Sequence, residues 1–274
     1  MNPVISVIIP TYKRVEELST ALTSVLGQGS EDIEVVVVND NPPDIDELTS
    51  LYGSMDDRIR IVQNPVNMGA PASRNHGIEE STGEYIALLD DDDIWDPTKL
   101  EKQMRIMESR PEVGFVGCGY HDEWLGKDRF PELRGKIEEQ LLMSFSNIET
   151  STILIRRSVL DMVGPIDTSL PSEQNHDFFY KISKVCEFDY VPEVLVTKKA
   201  PEQQISKSPR NKIVGYVRFH RNHMGDIRAL GPRRYAMMMG KFLTTLGLFV
   251  LLIGNEKRID QLYEGVFRKL RSSQ

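Results

Sequence analysis

Cysteine is nearly missing from this 274-residue chain. The two present, Cys118 and Cys186, are far apart and lack metal-site spacing. They read as buried thiols of a reducing compartment or, as the alternative, as one disulfide. Also missing is an apolar run of the roughly 20 residues that a membrane span needs. The most apolar stretch, 242–253, reads as a core helix or an interfacial one, flanked by Arg233, Arg234, Lys241, Lys257 and Arg258. There is no internal repeat and no low-complexity tract. A first strand reads from Val4, so no signal peptide is expected and the cytoplasm is the expected compartment. An excess of positive charge is absent too: the net charge of -8 argues against general nucleic-acid binding.

Charge is unevenly placed. Residues 197–274 hold 16 Lys and Arg against 5 Asp and Glu, whereas residues 1–196 hold 17 against 36. A basic tail on an acidic body is suited to an anionic partner: a phosphate, a lipid headgroup at a membrane surface, or the body itself. Hydrophobic content of 40% and charged content of 27% fit an ordinary packed core.

Strand and helix patterns alternate through the first half. Near-continuous apolar runs at 4–10, 33–38, 59–63, 85–89 and 113–120 read as strands. Helical spacing lies between them at 15–26, 46–52, 71–80 and 97–109. This pattern predicts an α/β fold with a mostly parallel sheet flanked by helices. Further on, helices are expected over 137–145, 157–163 and 177–185, and strands over 152–156 and 188–196. The polar segment 198–212 reads as a mobile basic loop. Beyond it, helices over 213–230, 233–252 and 257–269 form a C-terminal helical extension. Residues 1–200 are thus expected as the main domain and 201–274 as loop and extension.

Chemistry concentrates at strand ends. Asp90, Asp91, Asp92 and Asp93 follow the apolar run Tyr85 to Leu89. Four carboxylates at one point are costly unless a cation neutralises them, and hard oxygen ligands suit Mn2+ or Mg2+. The plainer alternative is an acidic loop with a helix opening at Asp96-Pro97. Pro10-Thr11-Tyr12 ends the first strand, where a tyrosine can lie against a base or simply be half-buried. Asp40 ends the second and can accept a pyrimidine N–H or form an Asx turn before Pro42-Pro43. Arg74, at a helix start after Asn67-Met68-Gly69, can reach a phosphate or hold the aspartates.

In order and spacing these strings resemble the inverting glycosyltransferases of family 2, with the GT-A fold. The resemblance rests on Val4 to Tyr12, Glu34 to Asp40, Asn67 to Ile78, Thr82 to Ile86 and Asp90 to Trp95, over about the first 110 residues. Residues 111–200 would form the acceptor side. The resemblance implies a nucleotide-diphosphate sugar as donor, with a UDP-sugar favoured, and Mn2+ or Mg2+ as cofactor. Pro10, Thr11, Tyr12, Arg14, Asp40 and Arg74 would hold the nucleotide. Asp90 or Asp91 would contact the ribose, and Asp92 would ligate the metal. The acceptor would be a glycan, a lipid phosphate or another hydroxyl, with peripheral membrane contact through the basic tail.

Two departures stand out. Asn39 replaces the first of two acids that the family usually carries after its second strand. Alignment on Asp177-Phe178-Phe179 places Asn175 where the general base belongs, and an asparagine cannot take a proton at neutral pH. Asp177, Glu173 and His176 are the remaining candidates, or no base acts because the acceptor is already anionic. His220 and His223 share a helix face, either solvated or metal-binding. Two competing functions follow: a nucleotide-sugar-binding module with little turnover, and a sugar nucleotidyltransferase. The latter would carry a glycine-rich phosphate loop after its first strand, and 10–17 has no glycine.

Overall fold

The computed structural model describes residues 4–29, 32–144, 146–200 and 209–252. Its centre is a sheet ordered β3-β2-β1-β4-β8-β6-β9-β5, with β7 paired to β6. The strands β1 (Ile5–Thr11), β2 (Ile33–Asn39), β3 (Ile59–Gln63) and β4 (Tyr85–Leu88) run parallel. Short β8 (Leu154–Arg156) lies antiparallel between β4 and β6 (Val113–Asp122). That returns β6, and β9 (Glu187–Lys198) parallel to it, to the direction of β4. Six strands therefore deliver their C-terminal ends to one edge of the sheet, the edge where open α/β sheets bind ligands. β5 (Ile94–Trp95) and β7 (Lys127–Arg129) are short antiparallel additions. Runs of two or three residues carry no readable period, which is why the sequence does not announce them.

Alternation along the strands sends side chains to two cores. Val7 and Ile9 of β1 pack under α1 (Val15–Leu26), α2 (Ile45–Tyr52) and α4 (Lys99–Ser109). Ile8, with Val36 and Val38 of β2, faces the opposite layer. That layer includes α5 (Glu138–Met143), α6 (Arg157–Val163) and α7 (Gln174–Ser183). α3 (Ala70–Glu80) has no apolar stripe; it buries Ser73, Arg74 and Gly77. Gly77 allows the contact, because a Cβ there would lie 2.3 Å from Ile8 Cγ2 and 2.9 Å from Val38 Cγ2. Asn75 then locks the helix by exchanging two 2.9 Å hydrogen bonds with the Ile166 backbone. A helix seated this closely brings Arg74, one turn before Gly77, to the strand-end edge.

The helix expected over 213–230 is two, α8 (Pro209–Asn222) and α9 (Met224–Ala229), broken at His223. α10 (Pro232–Leu252) follows, and the helix expected over 257–269 lies outside the described residues. Phe242 of α10 stacks on Tyr216 of α8 at 5.5 Å, while Leu243 is 62% exposed. Among the described residues no helix is long and apolar enough to cross a membrane.

One core feature gives a measurable pH dependence. Lys99 is fully buried, with Nζ donating to Gln103 Oε1 at 2.9 Å and lying 3.8 Å from the Trp95 ring centre. Burial lowers its ammonium to about 8. Between that value and the ordinary lysine value, the unfolded chain holds the extra proton, so stability rises with pH across the window. Denaturant titrations at several pH values should show this rise in the wild type and a flatter profile in Lys99→Met.

Candidate active site

The aspartate run leaves β4 and is pinned residue by residue. Arg14, just before α1, donates through Nη1 to Asp91 Oδ1 at 3.1 Å and Asp92 Oδ2 at 2.5 Å. Lys13 before it takes a left-handed backbone with φ of 56°, which costs a lysine strain and turns the chain after β1. Arg74 Nη2 meets Asp90 Oδ1 at 2.5 Å. Behind the run lies the turn Thr150–Thr152. Its Ser151 hydroxyl donates to Asp93 Oδ2 at 2.6 Å and accepts from the Asp90 amide at 3.1 Å. The Trp95 indole donates to the Ser151 carbonyl at 2.8 Å. The sequence does carry a trace of this support, a hydroxyl-rich Thr150-Ser151-Thr152 before a strand, but nothing local ties it to residues some 60 positions earlier.

The four carboxylates differ electrically. Burial would raise Asp90, but the charge and hydrogen bond of Arg74, with Lys198 and Arg14 beyond, hold it below the usual range. Its side chain keeps 35% of its surface open, so it lies in a cleft. Burial pushes Asp91 up to about 6, against the Thr11 hydroxyl and Arg14. Burial and the Asp90 charge raise Asp92 and raise Asp93 further. Four carboxyl groups thus crowd one strand end opposite Arg14, Arg74 and Lys198, and three of them are held above the usual carboxylate range, a shift that a further cation would reverse.

Asp40 is buried and does not make the Asx turn. Its Oδ1 accepts from Asn64 Nδ2 and the Met68 amide, and its Oδ2 from the Gly69 amide, all at 2.8 Å. The turn is made by Asn39, whose Oδ1 accepts from the Asn41 amide at 3.0 Å. Asn39 also joins the ends of β2 and β3 by donating to Gln63 Oε1 at 2.8 Å. Asp40 therefore shapes the loop in front of α3. Tyr12 is half-buried; a hydrogen bond with Asn67, then Lys13 nearby, lowers its phenol. Pro10 is a buried residue of β1, paired in register with Val38.

The basic segment departs from expectation at both ends. Lys198 is the last residue of β9 and pairs with Glu149 at 2.8 Å. The Lys199 amide donates to Asp93 Oδ1 at 3.2 Å, and its Nζ meets Glu123 at 2.8 Å. Arg210 is in α8, and Lys207 lies outside the described residues.

At the start of α7, Asn175 Nδ2 donates to Thr150 Oγ1 at 2.7 Å, so position 175 faces the turn behind the aspartates. Asp177, two residues along the helix, turns to the other side. It is fully buried, with His223 Nε2 2.7 Å from Oδ1 and Lys181 Nζ 2.7 Å from Oδ2. Asp177 thus has one oxygen engaged with His223, between α8 and α9, and the other with Lys181 of its own helix, an arrangement suited to holding α7 in place. His176 is unsuited to act as a base, since burial lowers its imidazole to about 4 and its ring packs on Phe219 at 4.7 Å. His220 and His223 are buried, not on a solvated face. His220 is buried with Nδ1 on the Tyr216 carbonyl at 2.8 Å, and His223 is spent on Asp177. Glu173 stands at φ 67° before α7, and burial pushes its carboxyl up to about 7 against Lys212.

Residues 6–162 match the model of Glycosyl transferase family 2. The chain belongs to this family. An uncharacterized glycosyltransferase of Rickettsia typhi is 28% identical over 261 residues, 90% of this chain and 80% of that one. One from Methanocaldococcus jannaschii is 30% identical over 227 residues, 78% of each. Among solved structures, S. aureus TarS superposes with a TM-score of 0.67 at 17% identity, over 90% of this chain and 43% of that one. Mannosyltransferase PcManGT from Pyrobaculum calidifontis, solved with GDP-Man and Mn2+, gives 0.60 at 15%, over 92% and 86%. TarS residues have also been solved with UDP and with UDP-GlcNAc. At these identities the likeness establishes the GT-A fold, with helices after the sheet.

For a divalent cation, the aspartate run of this glycosyltransferase offers oxygen donors alone. Among the described residues no three acidic, histidine or cysteine side chains converge as a closed metal cage. The residues fit the ion; Asp90, 35% exposed, and Asp92, 26% exposed, are the carboxylates of the ion pairs with Arg74 and Arg14 that stay partly open.

Proposed function

We propose that this glycosyltransferase moves a sugar from a nucleotide-diphosphate sugar, with a UDP-sugar favoured, to an acceptor hydroxyl or phosphate with inversion at the anomeric carbon. The observation that carries the reading is the Asp90–Asp93 run at the C-terminal edge of β4, clamped from both sides by Arg14 and Arg74. Arg14, Tyr12 and Thr11 at the end of β1, with the loop that Asp40 shapes, form the nucleotide side. Asp92 would hold Mn2+ or Mg2+, which when bound would supply charge neutralisation for a diphosphate leaving group. Arg14 and Arg74 hold the aspartates in register until donor arrives, and Arg14 can then turn to phosphate. The helices from α8 onward form an extension docked on α7 through His223 and Asp177. A thermal-shift screen of UDP, GDP, CDP and TDP, each with and without Mn2+, tests the reading. A metal-dependent rise in Tm with one or more of them supports it; no rise with any refutes it.

Glu173 is our candidate to take the acceptor proton. Its value of about 7 suits a base at neutral pH. Activity should rise as pH climbs through about 7, because the base must shed its proton first, and Glu173→Gln should lose that limb. The sign for stability is opposite. A carboxyl raised above its unfolded value favours folding at low pH and loses that contribution as pH rises through about 7. Glu173→Gln should therefore raise Tm more at pH 8 than at pH 5, as measured by calorimetry. A variant that keeps the pH–rate limb removes Glu173 from the role and leaves an anionic acceptor, which the asparagine at position 175 favours.

A further inference from the structure

β6 and β7 form a hairpin whose tip carries Trp124, 54% exposed, and Leu125, 37% exposed. The other tryptophan of the chain, Trp95, is buried at 3%. Because β6 runs parallel to β4, this tip and the aspartate run leave the sheet at the same edge. Lys199 joins the two directly: its amide holds Asp93 and its ammonium holds Glu123, the neighbour of Trp124. The tip is also pinned. The Glu123 amide donates to the Lys198 carbonyl at 3.1 Å, and the Leu125 amide to Asp122 Oδ1 at 3.1 Å. The indole is thus an amphipathic face held on a fixed backbone and tied through Lys199 to the aspartate run.

We infer that Trp124 is a stacking platform for a pyranose ring of a glycan acceptor, and this rests on the transfer function proposed above. The apolar face of a pyranose packs on an indole, and the ring hydroxyls stay free for polar groups around it. Charge gives an anionic membrane no purchase at this point. Lys199 on Glu123, with Lys127 and Arg129, balances Asp122, Glu123 and Asp128, so the tip has no net positive charge to draw it to anionic lipid. A neutral sugar needs none.

The experiment uses the full chain, whose exposed-tryptophan fluorescence belongs to Trp124 alone. UDP and Mn2+ are added first, with binding read by calorimetry. Methyl glycosides of glucose, galactose, mannose and N-acetylglucosamine are then titrated, followed separately by dodecyl phosphate and by phosphatidylglycerol vesicles. At least one glycoside should shift the emission and protect it from acrylamide. Trp124→Ala should weaken binding of that glycoside about tenfold by calorimetry, Trp124→Phe should restore most of it, and nucleotide affinity should stay within about twofold. The inference is overturned if no glycoside moves the signal, if the signal survives in Trp124→Ala, or if dodecyl phosphate or the vesicles move it instead. A chain that binds no nucleotide fails the transfer function itself, whereas a silent Trp124 in a nucleotide-loaded chain fails this inference alone.

Discussion

Asp92→Ala should abolish metal-dependent nucleotide binding while leaving the fold as stable as before. The two halves have separate physical causes. The Asp92 side chain pairs with Arg14, and 26% of it is open. Burial and the Asp90 charge raise its carboxyl, so its ionised form is held at a cost. Removing it relieves repulsion and frees Arg14 for Asp91, and Tm should move by the equivalent of less than about 0.5 kcal/mol. The loss in UDP affinity with Mn2+ should reach roughly two orders of magnitude, about 2.7 kcal/mol, because an ion with a missing carboxylate cannot bridge to phosphate. Calorimetry with and without EDTA separates the two effects. Affinity that survives the substitution and still vanishes in EDTA would move the metal to another carboxylate.

Asp177→Asn should do the reverse. Asp177 stands fully buried between His223 and Lys181, and the bonds to both lower its carboxyl against the effect of burial. Around it, Tyr180 donates to Asp226 at 2.9 Å, and Lys184 meets the same carboxylate at 3.0 Å. Removing the charge leaves Lys181 without its partner in a network that ties α7 to α8 and α9. Breaking one member of a buried pair costs about 3 kcal/mol, which denaturant titration resolves easily. The rate per folded molecule should stay within about twofold. Loss of a general base would lower it by about a hundredfold or more, so stability and rate together separate the structural role from the catalytic one. The pH sign also follows: a carboxyl held below its usual value loses its contribution as pH falls through the folded value, so the variant and wild type should converge in acid.

The parallel strands could be read in the sequence because buried strands need continuous Val and Ile on both faces, and 33–38 and 85–89 supply them. The cleft could be read because charge that follows such a run must emerge at its end. α3 was legible through Pro71 and its spacing, although it is held by Gly77 and Asn75 and not by an apolar stripe. What stayed hidden was pairing over distance. Asp40 looks like a turn residue beside Pro42-Pro43, yet its partners are the amides of Met68 and Gly69. Asp177 looks like a base beside an aromatic helix, yet its partner His223 lies 46 residues later. Lys198 looks like the start of a polar loop, yet it ends a strand because Val191 to Val196 carry the ladder with β6 up to it. In each case the local pattern permits two roles, and only the fold chooses.

The central claim places a divalent ion between Asp92 and the diphosphate of a sugar donor. Anomalous diffraction at the manganese edge, from crystals soaked with UDP and Mn2+, tests it most directly. The account predicts one strong peak within coordination distance of both an Asp92 oxygen and a phosphate oxygen. Nucleotide density with no manganese near the 90–93 run, or manganese there with the nucleotide bound elsewhere, would contradict it.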